Sequence, residues 1–406
     1  MRIATNTLYD RGLAAIDTAQ RNLSRAQNEV STGKRVNSAA DDPIAATEIL
    51  RTQSALATNT QYMTNQKTAA SQLAQTDSTL GQVNDLLQSV RTTIVSANNA
   101  ALSDSDRAAL GIELKSRLDA LVSLANTKDG EGSYLFGGYR GGTAPFTRTA
   151  TGATYSGDDG SRTVQVSASR QMPTSENGAD VFGRIASGNG VFTTAAGASN
   201  TGNGVIDVGQ VTDPTKLTGH GYSVQFAVAN GVTTYQVTDT TTNAPVAAPG
   251  LTGNAYTSGT AITVDGAQFT ISGAPKAGDA FTVAPSSRQS IFQTLQDAAN
   301  LLSKPSGGAA GMARVASGLL GALSNIDNAL DHTSGVRASV GVRQNELDAL
   351  ASSSSASDIE GQSRLSDLQD TDYAKAYAEV AKQQAALSAA QKTFATINNK
   401  TLFDYL

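Results

Sequence analysis

Two pairs of adjacent carboxylates, Asp41-Asp42 and Asp158-Asp159, are the residues in this chain best suited to acid–base work or to a hard cation. Each pair has a simpler local role. Asp42 stands directly before Pro43, where a carboxylate accepts the first-turn amides of a helix and proline suits the first helical position. Asp158 and Asp159 lie between Gly157 and Gly160, which is turn composition. His220 and His332 fall in different composition zones, and both are expected at the surface. The absence of cysteine removes thiolate catalysis, disulfides and cysteine-bound metals together. Gly33-Lys34 lacks the upstream glycine and the following hydroxyl of a phosphate loop, and Gly202–Gly204 lacks the third glycine of a dinucleotide fingerprint. No catalytic, cofactor-binding or metal-binding residue is assigned, and the chain is read as a non-enzyme.

What the residue spacing does carry is packing chemistry. Near the C-terminal end Tyr373, Val380, Leu387 and Phe394 recur every seven residues, and Ala376, Gln383, Ala390 and Ile397 each follow by three. Near the N-terminal end Tyr9, Ile16, Leu23 and Val30 repeat at the same interval, with Gly12, Ala19 and Ala26 three residues on. These are heptad seams with large residues at one core position and mostly small or polar ones at the other. A stripe that narrow does not hold a lone helix together in water, so each seam needs a partner. The spacing predicts a terminal coiled coil between the two ends, with a last helix of roughly 55 Å from Asp370 onward at about 1.5 Å per residue. The large seam residues are expected to carry most of its buried area.

The composition bounds the rest. A chain of 406 residues has length for roughly two to four domains. Hydrophobic residues make up 39% and the formal net charge is −5, ordinary values for a folded chain without a basic face. Nucleic acid is therefore a poor partner. No run of 18 apolar residues occurs, so no membrane span is expected, and the N-terminal stretch lacks the apolar core of a cleaved secretory signal. Export, if it occurs, takes another route.

Along the chain, Gly33 is a left-handed stop for the first helix and Asp42-Pro43 restarts the next, which runs from Ile44 to about Asn99. In it Leu80, Leu87 and Ile94 repeat by seven, with Val83, Val90 and Ala97 between them. Ser103-Asp104-Ser105-Asp106 is a capping pattern, and Leu110, Leu114, Leu118 and Leu121 carry a further helix to about Asn126. The period then shortens. Tyr155, Val164 and Val166 around Gly157–Gly160 read as a hairpin, and so do Ile262, Val264, Phe269 and Ile271 around Asp265-Gly266. Helix is expected again from Ser286-Ser287. The fold class is α+β: an elongated multi-helix rod with a terminal coiled coil and an inserted all-β outer domain. Its parts are residues 1–42 with 366–406, 43–186 with 286–365, and the β insertion 187–285.

The run Ser31-Thr32-Gly33-Lys34-Arg35-Val36-Asn37-Ser38-Ala39-Ala40-Asp41-Asp42-Pro43 resembles the signature that follows the first helix of the bacterial flagellin family. Gly33, Arg35, Asn37, Asp41, Asp42 and Pro43 are its candidate functional positions. The helix–β–helix order and the paired terminal seams resemble the design of that family. Met1-Arg2-Ile3, Tyr134-Leu135-Phe136-Gly137-Gly138, Tyr155–Gly160 and Thr401–Leu406 are similar to the flagellin-like branch at the hook–filament junction rather than to filament flagellins.

The resemblance implies a structural subunit of the flagellum, exported unfolded by the flagellar apparatus, extracellular once assembled and without a cofactor. It implies copies of the chain in a helical ring, a hook-side junction protein and flagellin as neighbours. A filament cap during assembly and a cytosolic export chaperone on the C-terminal helix are implied as well. Filament flagellin itself is the alternative reading, and a glycan hydrolase housed in the β insertion is a third.

Overall fold

The computed structural model describes residues 2–246 and 250–398. Among them the chain forms seven helices and sixteen strands. It begins with α1 (Arg2–Thr32), α2 (Pro43–Ala97) and α3 (Asp104–Ala125). Four strands follow, β1 (Phe146–Thr149), β2 (Gly152–Tyr155), β3 (Thr163–Ser167) and β4 (Arg170–Pro173), and then the short helix α4 (Gly178–Phe182). The strand-rich stretch comprises β5 (Ile185–Ala186), β6 (Phe192–Ala196), β7 (Val205–Ile206), β8 (Gln210–Val211), β9 (Tyr222–Ala229) and β10 (Val232–Asp239). It continues with β11 (Ala244–Pro245), β12 (Thr252–Ala255), β13 (Ala261–Val264), β14 (Ala267–Ser272), β15 (Ala280–Pro285) and β16 (Arg288–Gln289). The last helices are α5 (Ile291–Ser303), α6 (Ala309–Gln369) and α7 (Tyr373–Asn398). The fold is α+β, a strand-rich insertion between helical stretches.

Two compact units divide the chain: Met1–Gln66 with Ala349–Leu406, and Lys67–Asp348. The divisions fall inside α2 and α6.

In the second unit Leu73, Leu80, Leu87 and Ile94 line one face of α2 at seven-residue spacing and are fully buried, with Val83, Val90 and Ala97 beside them. Each such side chain contributes about 1.5–3 kcal/mol when withdrawn from water. Ser103 starts α3 with a reciprocal capping box: its Oγ accepts from Asp106 N at 3.2 Å, and its own amide donates to Asp106 Oδ2 at 3.2 Å. The α3 leucines Leu114, Leu118 and Leu121 and the α5 residues Leu295, Ala298, Ala299 and Leu302 are buried. Gly111 allows α3 and α5 to come close, since a Cβ there would stand 3.1 Å from the Ala299 carbonyl. Phe136, Phe146, Phe182 and Phe292 form an aromatic cluster with centroid separations of 4.9–5.6 Å. Tyr155 joins it and donates its hydroxyl to the carbonyls of Phe136 (3.1 Å) and Asp158 (2.7 Å).

The insertion builds two sheets over one core. One runs β11-β10-β9-β15-β6, with β12 also on β10; the other runs β13-β14-β7, with β8 on β14. Tyr222, Val224, Phe226, Val237, Phe281 and Val283 from the first sheet meet Ile206, Ile262, Val264, Phe269 and Ile271 from the second. Asp265 and Gly266 both take positive φ, the tight turn that joins β13 to β14. The insertion leaves and rejoins the helical part side by side, because β5 pairs with β16 and Ser187 N donates to Ser287 O at 3.0 Å.

The structure corrects four sequence expectations. Tyr155 and Val164 do not share a hairpin: β2 pairs with β1 and β3 with β4, and Gly157–Gly160 is the loop between two separate hairpins. Asp158 holds that loop by accepting from Tyr139 N and Gly160 N. Helix resumes at Ile291, capped by Ser290, because Arg288 and Gln289 are used in β16. Neither histidine is simply a surface residue. His220 is half-buried with Nδ1 2.7 Å from Asp239 Oδ2, and the Nε2–H of half-buried His332 donates to the Asp180 carbonyl at 2.7 Å.

Candidate assembly interface

The first unit is built on the turn between α1 and α2. Gly33 ends α1 with φ +66°, a conformation that favours glycine, and its amide returns to the Glu29 carbonyl at 3.0 Å. The chain then pairs briefly with the stretch between α6 and α7. Arg35 N donates to Gln369 O at 2.7 Å, and Thr371 N donates to Gly33 O at 3.0 Å. The Arg35 guanidinium also donates to the Leu368 carbonyl at 2.9 Å and reaches Asp42 at 3.3 Å. Asn37 donates its side-chain amide to Thr32 Oγ1 (3.0 Å) and Lys34 O (3.1 Å). Asp41 accepts the Ser38 amide at 2.9 Å, and Asp42 Oδ1 accepts Ala45 N at 3.0 Å to cap α2 ahead of Pro43. Beneath the turn lies a small core of Val36, Ala45 and Ile49 against Leu365 and Leu368.

Gly33, Arg35, Asn37, Asp41, Asp42 and Pro43 are thus gathered into one connector. The Ser38 amide and hydroxyl hold the Asp41 carboxyl below the usual carboxylate range. The Ala45 amide and then Arg35 do the same for Asp42.

α1 and α7 pack against each other in antiparallel order. A Cβ on Gly12 would stand 2.7 Å from the Phe394 ring, and one on Gly33 would stand 2.8 Å from the Tyr373 hydroxyl. The two contacts are 21 residues apart on each helix (33 − 12 and 394 − 373), so the helices run in step without a register offset. Tyr9 and Phe394 stack obliquely with centroids 5.1 Å apart.

Fractional burial along this seam separates its two core positions. Ala19, Ala26 and Ala376 are the buried residues. Ile16, Leu23, Val30, Val380, Leu387 and Phe394 are half-buried, while Tyr9 and Tyr373 are 46% and 52% exposed. The reason is geometric: two helices approach most closely where side chains are smallest, and the large residues then flank the contact with only one neighbour to cover them. The Ile397 side chain and Thr401–Leu406 lie outside the described residues.

Sequence reading also missed the other half of the connector. Thr371 Oγ1 donates to Glu29 at 3.2 Å, and α7 begins at Tyr373 rather than Asp370, with Asp372 capping it by accepting from Ala374 N and Lys375 N. The run Asp370-Thr371-Asp372 before the seam was the available signal, since it is helix-cap composition. Among the described residues no group of three potential metal ligands converges, and no helix is long and apolar enough to cross a membrane.

Family comparisons match this layout. Residues 3–140 fit the bacterial flagellin N-terminal helical region and 323–406 the bacterial flagellin C-terminal helical region. Residues 195–285 fit the D2-like domain of flagellar hook-associated protein 1. Flagellar hook-associated protein 3 of Salmonella typhimurium is 39% identical over 187 residues, which are 46% of this chain and 58% of that protein. The crystal structure of the flagellar junction protein FlgL from Legionella pneumophila is 30% identical with a TM-score of 0.72, covering 80% of this chain and all of that one. The chain belongs to the flagellin-like hook-associated protein 3 family. Filament flagellins are more distant: phase 1 flagellin of Salmonella naestved is 32% identical over 124 residues, 30% of this chain and 25% of that protein. The two sides of the connector fall one in each of the matched flagellin helical regions.

Proposed function

We propose that the chain is a structural subunit of the bacterial flagellum at the junction between hook and filament, assembled through α1 and α7. The half-open seam carries this reading. The large residues of α1 and α7 are too apolar to stay in water and too incompletely covered by each other, so further helices must close over them. Those helices come first from neighbouring copies in a helical ring. A hook-side junction protein lies below the ring, flagellin above it, and the filament cap holds subunits during assembly. The chain is exported unfolded by the flagellar apparatus, and a cytosolic chaperone covers the C-terminal helix beforehand.

The test is complementation. In cells lacking their own junction subunit, this chain is expected to restore attached filaments and stop the shedding of flagellin. Shedding that continues despite export of the chain would refute the reading, and purified chain that grows long filaments would identify a filament flagellin instead.

A further inference from the structure

The larger sheet of the insertion has two edges with which no further strand among the described residues pairs, and we propose that β12 of one copy adds as a strand to β6 of a second copy. The hydrogen-bond phase of β6 shows which peptide groups are free. Gly197 N donates to Ala280 O at 2.8 Å, and Ser286 N donates to Val191 O at 2.9 Å. In the antiparallel register with β15, residues 191, 193, 195 and 197 therefore face β15, while 192, 194 and 196 face away. Phe192 turns back onto Asn189, which accepts its amide at 2.9 Å and donates to its carbonyl at 3.1 Å. That leaves the peptide groups of Thr194 and Ala196 on an edge with which no further strand among the described residues pairs, although the Asp207 carbonyl beside it accepts the Thr194 hydroxyl.

Both residues line a cleft of about 830 Å³ whose other wall is α5 and α6. That volume lies in the ordinary range for an occupied site. The helical wall already reads extended backbone at its ends. Arg314 donates to Asn200 O at 2.6 Å, Ser317 Oγ accepts Ile206 N at 3.2 Å, and Asn325 Oδ1 accepts Gly188 N at 2.7 Å.

The opposite edge of the same sheet supplies the matching strand. β12 is exposed along all four residues and pairs only with β10 among the described strands. Tyr256 N donates to Thr233 O and Val237 N to Leu251 O, both at 2.8 Å, so Thr252 and Ala255 face outward. A bulge at Gly253 sets these two residues opposite Gln236 and Thr234, the same two-residue pleat step that separates Thr194 from Ala196. Neither strand contains a lysine, an acid or a proline, the residues that ordinarily blunt an exposed edge. Pairing one edge of the sheet with the other is head-to-tail, so it propagates from copy to copy rather than closing as a dimer. The inference rests on the reading that copies of the chain stand side by side, and it names a contact between their insertions.

The chain lacks cysteine, so single introduced thiols are unique. Ala195→Cys and Ala255→Cys proteins, mixed and treated with a short thiol cross-linker, are expected to give a mixed pair that neither gives alone. Ala196→Pro removes an outward amide without touching the β15 ladder, and Asn300→Trp fills the cleft from the helix wall. Each should abolish the mixed cross-link while circular dichroism and the melting temperature stay unchanged. A cross-link that forms equally within one variant, or that survives both blocking changes in folded protein, overturns the inference. Rings that assemble with no such cross-link overturn it and leave the junction reading standing. A cross-link in solution with no junction restored in cells upholds the inference and overturns that reading.

Discussion

Gly12 lies flat against the Phe394 ring, so close that a methyl group on Gly12 would stand 2.7 Å from Phe394 Cδ2. In the middle of a helix alanine is ordinarily better than glycine by about 1 kcal/mol. Here Gly12→Val is expected to weaken the α1–α7 pairing despite its better backbone, because the ring must move to make room. Phe394→Ala in the same chain should restore the pairing. A double-mutant cycle, read by thiol cross-linking between α1 and α7, checks this. Additive effects of the two changes would show that the contact does not govern the seam.

Leu387 and Ser388 are adjacent on α7 but differ in surroundings: Leu387 is half-buried and Ser388 exposed. Leu387→Asp removes about 1–2 kcal/mol of apolar burial per copy and places a carboxylate in the contact. The loss repeats with every copy, while the core of the second unit is untouched. A soluble, folded monomer that fails to build the junction is the expected result, with flagellin shed into the medium. Ser388→Asp should leave motility intact. Motile cells carrying Leu387→Asp would remove the α1–α7 seam as the assembly element.

The seven-residue repeats and the Asp42-Pro43 restart were legible because both depend on near neighbours in sequence. Leu80, Leu87 and Ile94 are buried at the spacing read from the chain. The depth of burial on α1 and α7 was not legible, since it depends on how many partners cover the stripe. Periodicity placed Leu23 and Leu387 at one core position and Ala19, Ala26 and Ala376 at the other, but it did not say that only the alanines would be covered by a single partner helix. The pairing of β2 with β1 was hidden for a related reason. The glycines at 157 and 160 mark a turn, but nothing local states whether the strands on either side of it pair. The bridge from Arg35 to Gln369 joins residues 334 positions apart (369 − 35), beyond the reach of any local pattern.

The insertion has a specific acid limit. Burial pushes the Asp239 carboxyl up, but the amides of Thr242 and Thr241 and the His220 ring outweigh it and hold it at about 2, against an ordinary 3.8. A carboxyl whose folded value is depressed contributes stability that is complete above its unfolded value and is lost as pH falls toward the folded one. The insertion should therefore hold its stability down to about pH 4 and lose this contribution between there and about pH 2. Asp239→Asn should flatten that part of the profile, as followed by thermal unfolding across pH. An unchanged acid limb in Asp239→Asn would assign the loss to other carboxylates.

The insertion is also separable from the helices that carry it. Its core of Val224, Val237, Phe269 and Phe281 is distinct from the buried leucines of α2, α3 and α5. Its two connections already meet, since β5 pairs with β16 and Ser187 N reaches Ser287 O at 3.0 Å. A short Gly/Ser linker in place of residues 188–286 spans that gap with little loop-closure cost. Arg314, Ser317, Ser324, Asn325 and Asn328 on α6 lose the backbone partners they have at Asn200, Ile206 and Gly188, but the cost is small because water replaces those partners at an opened surface. The shortened chain is expected to keep its helical circular dichroism and a melting temperature within a few degrees of the full chain, and to form the junction through α1 and α7. Insoluble or unfolded product from this replacement would show that the strands of the insertion hold up the helical core rather than ride on it.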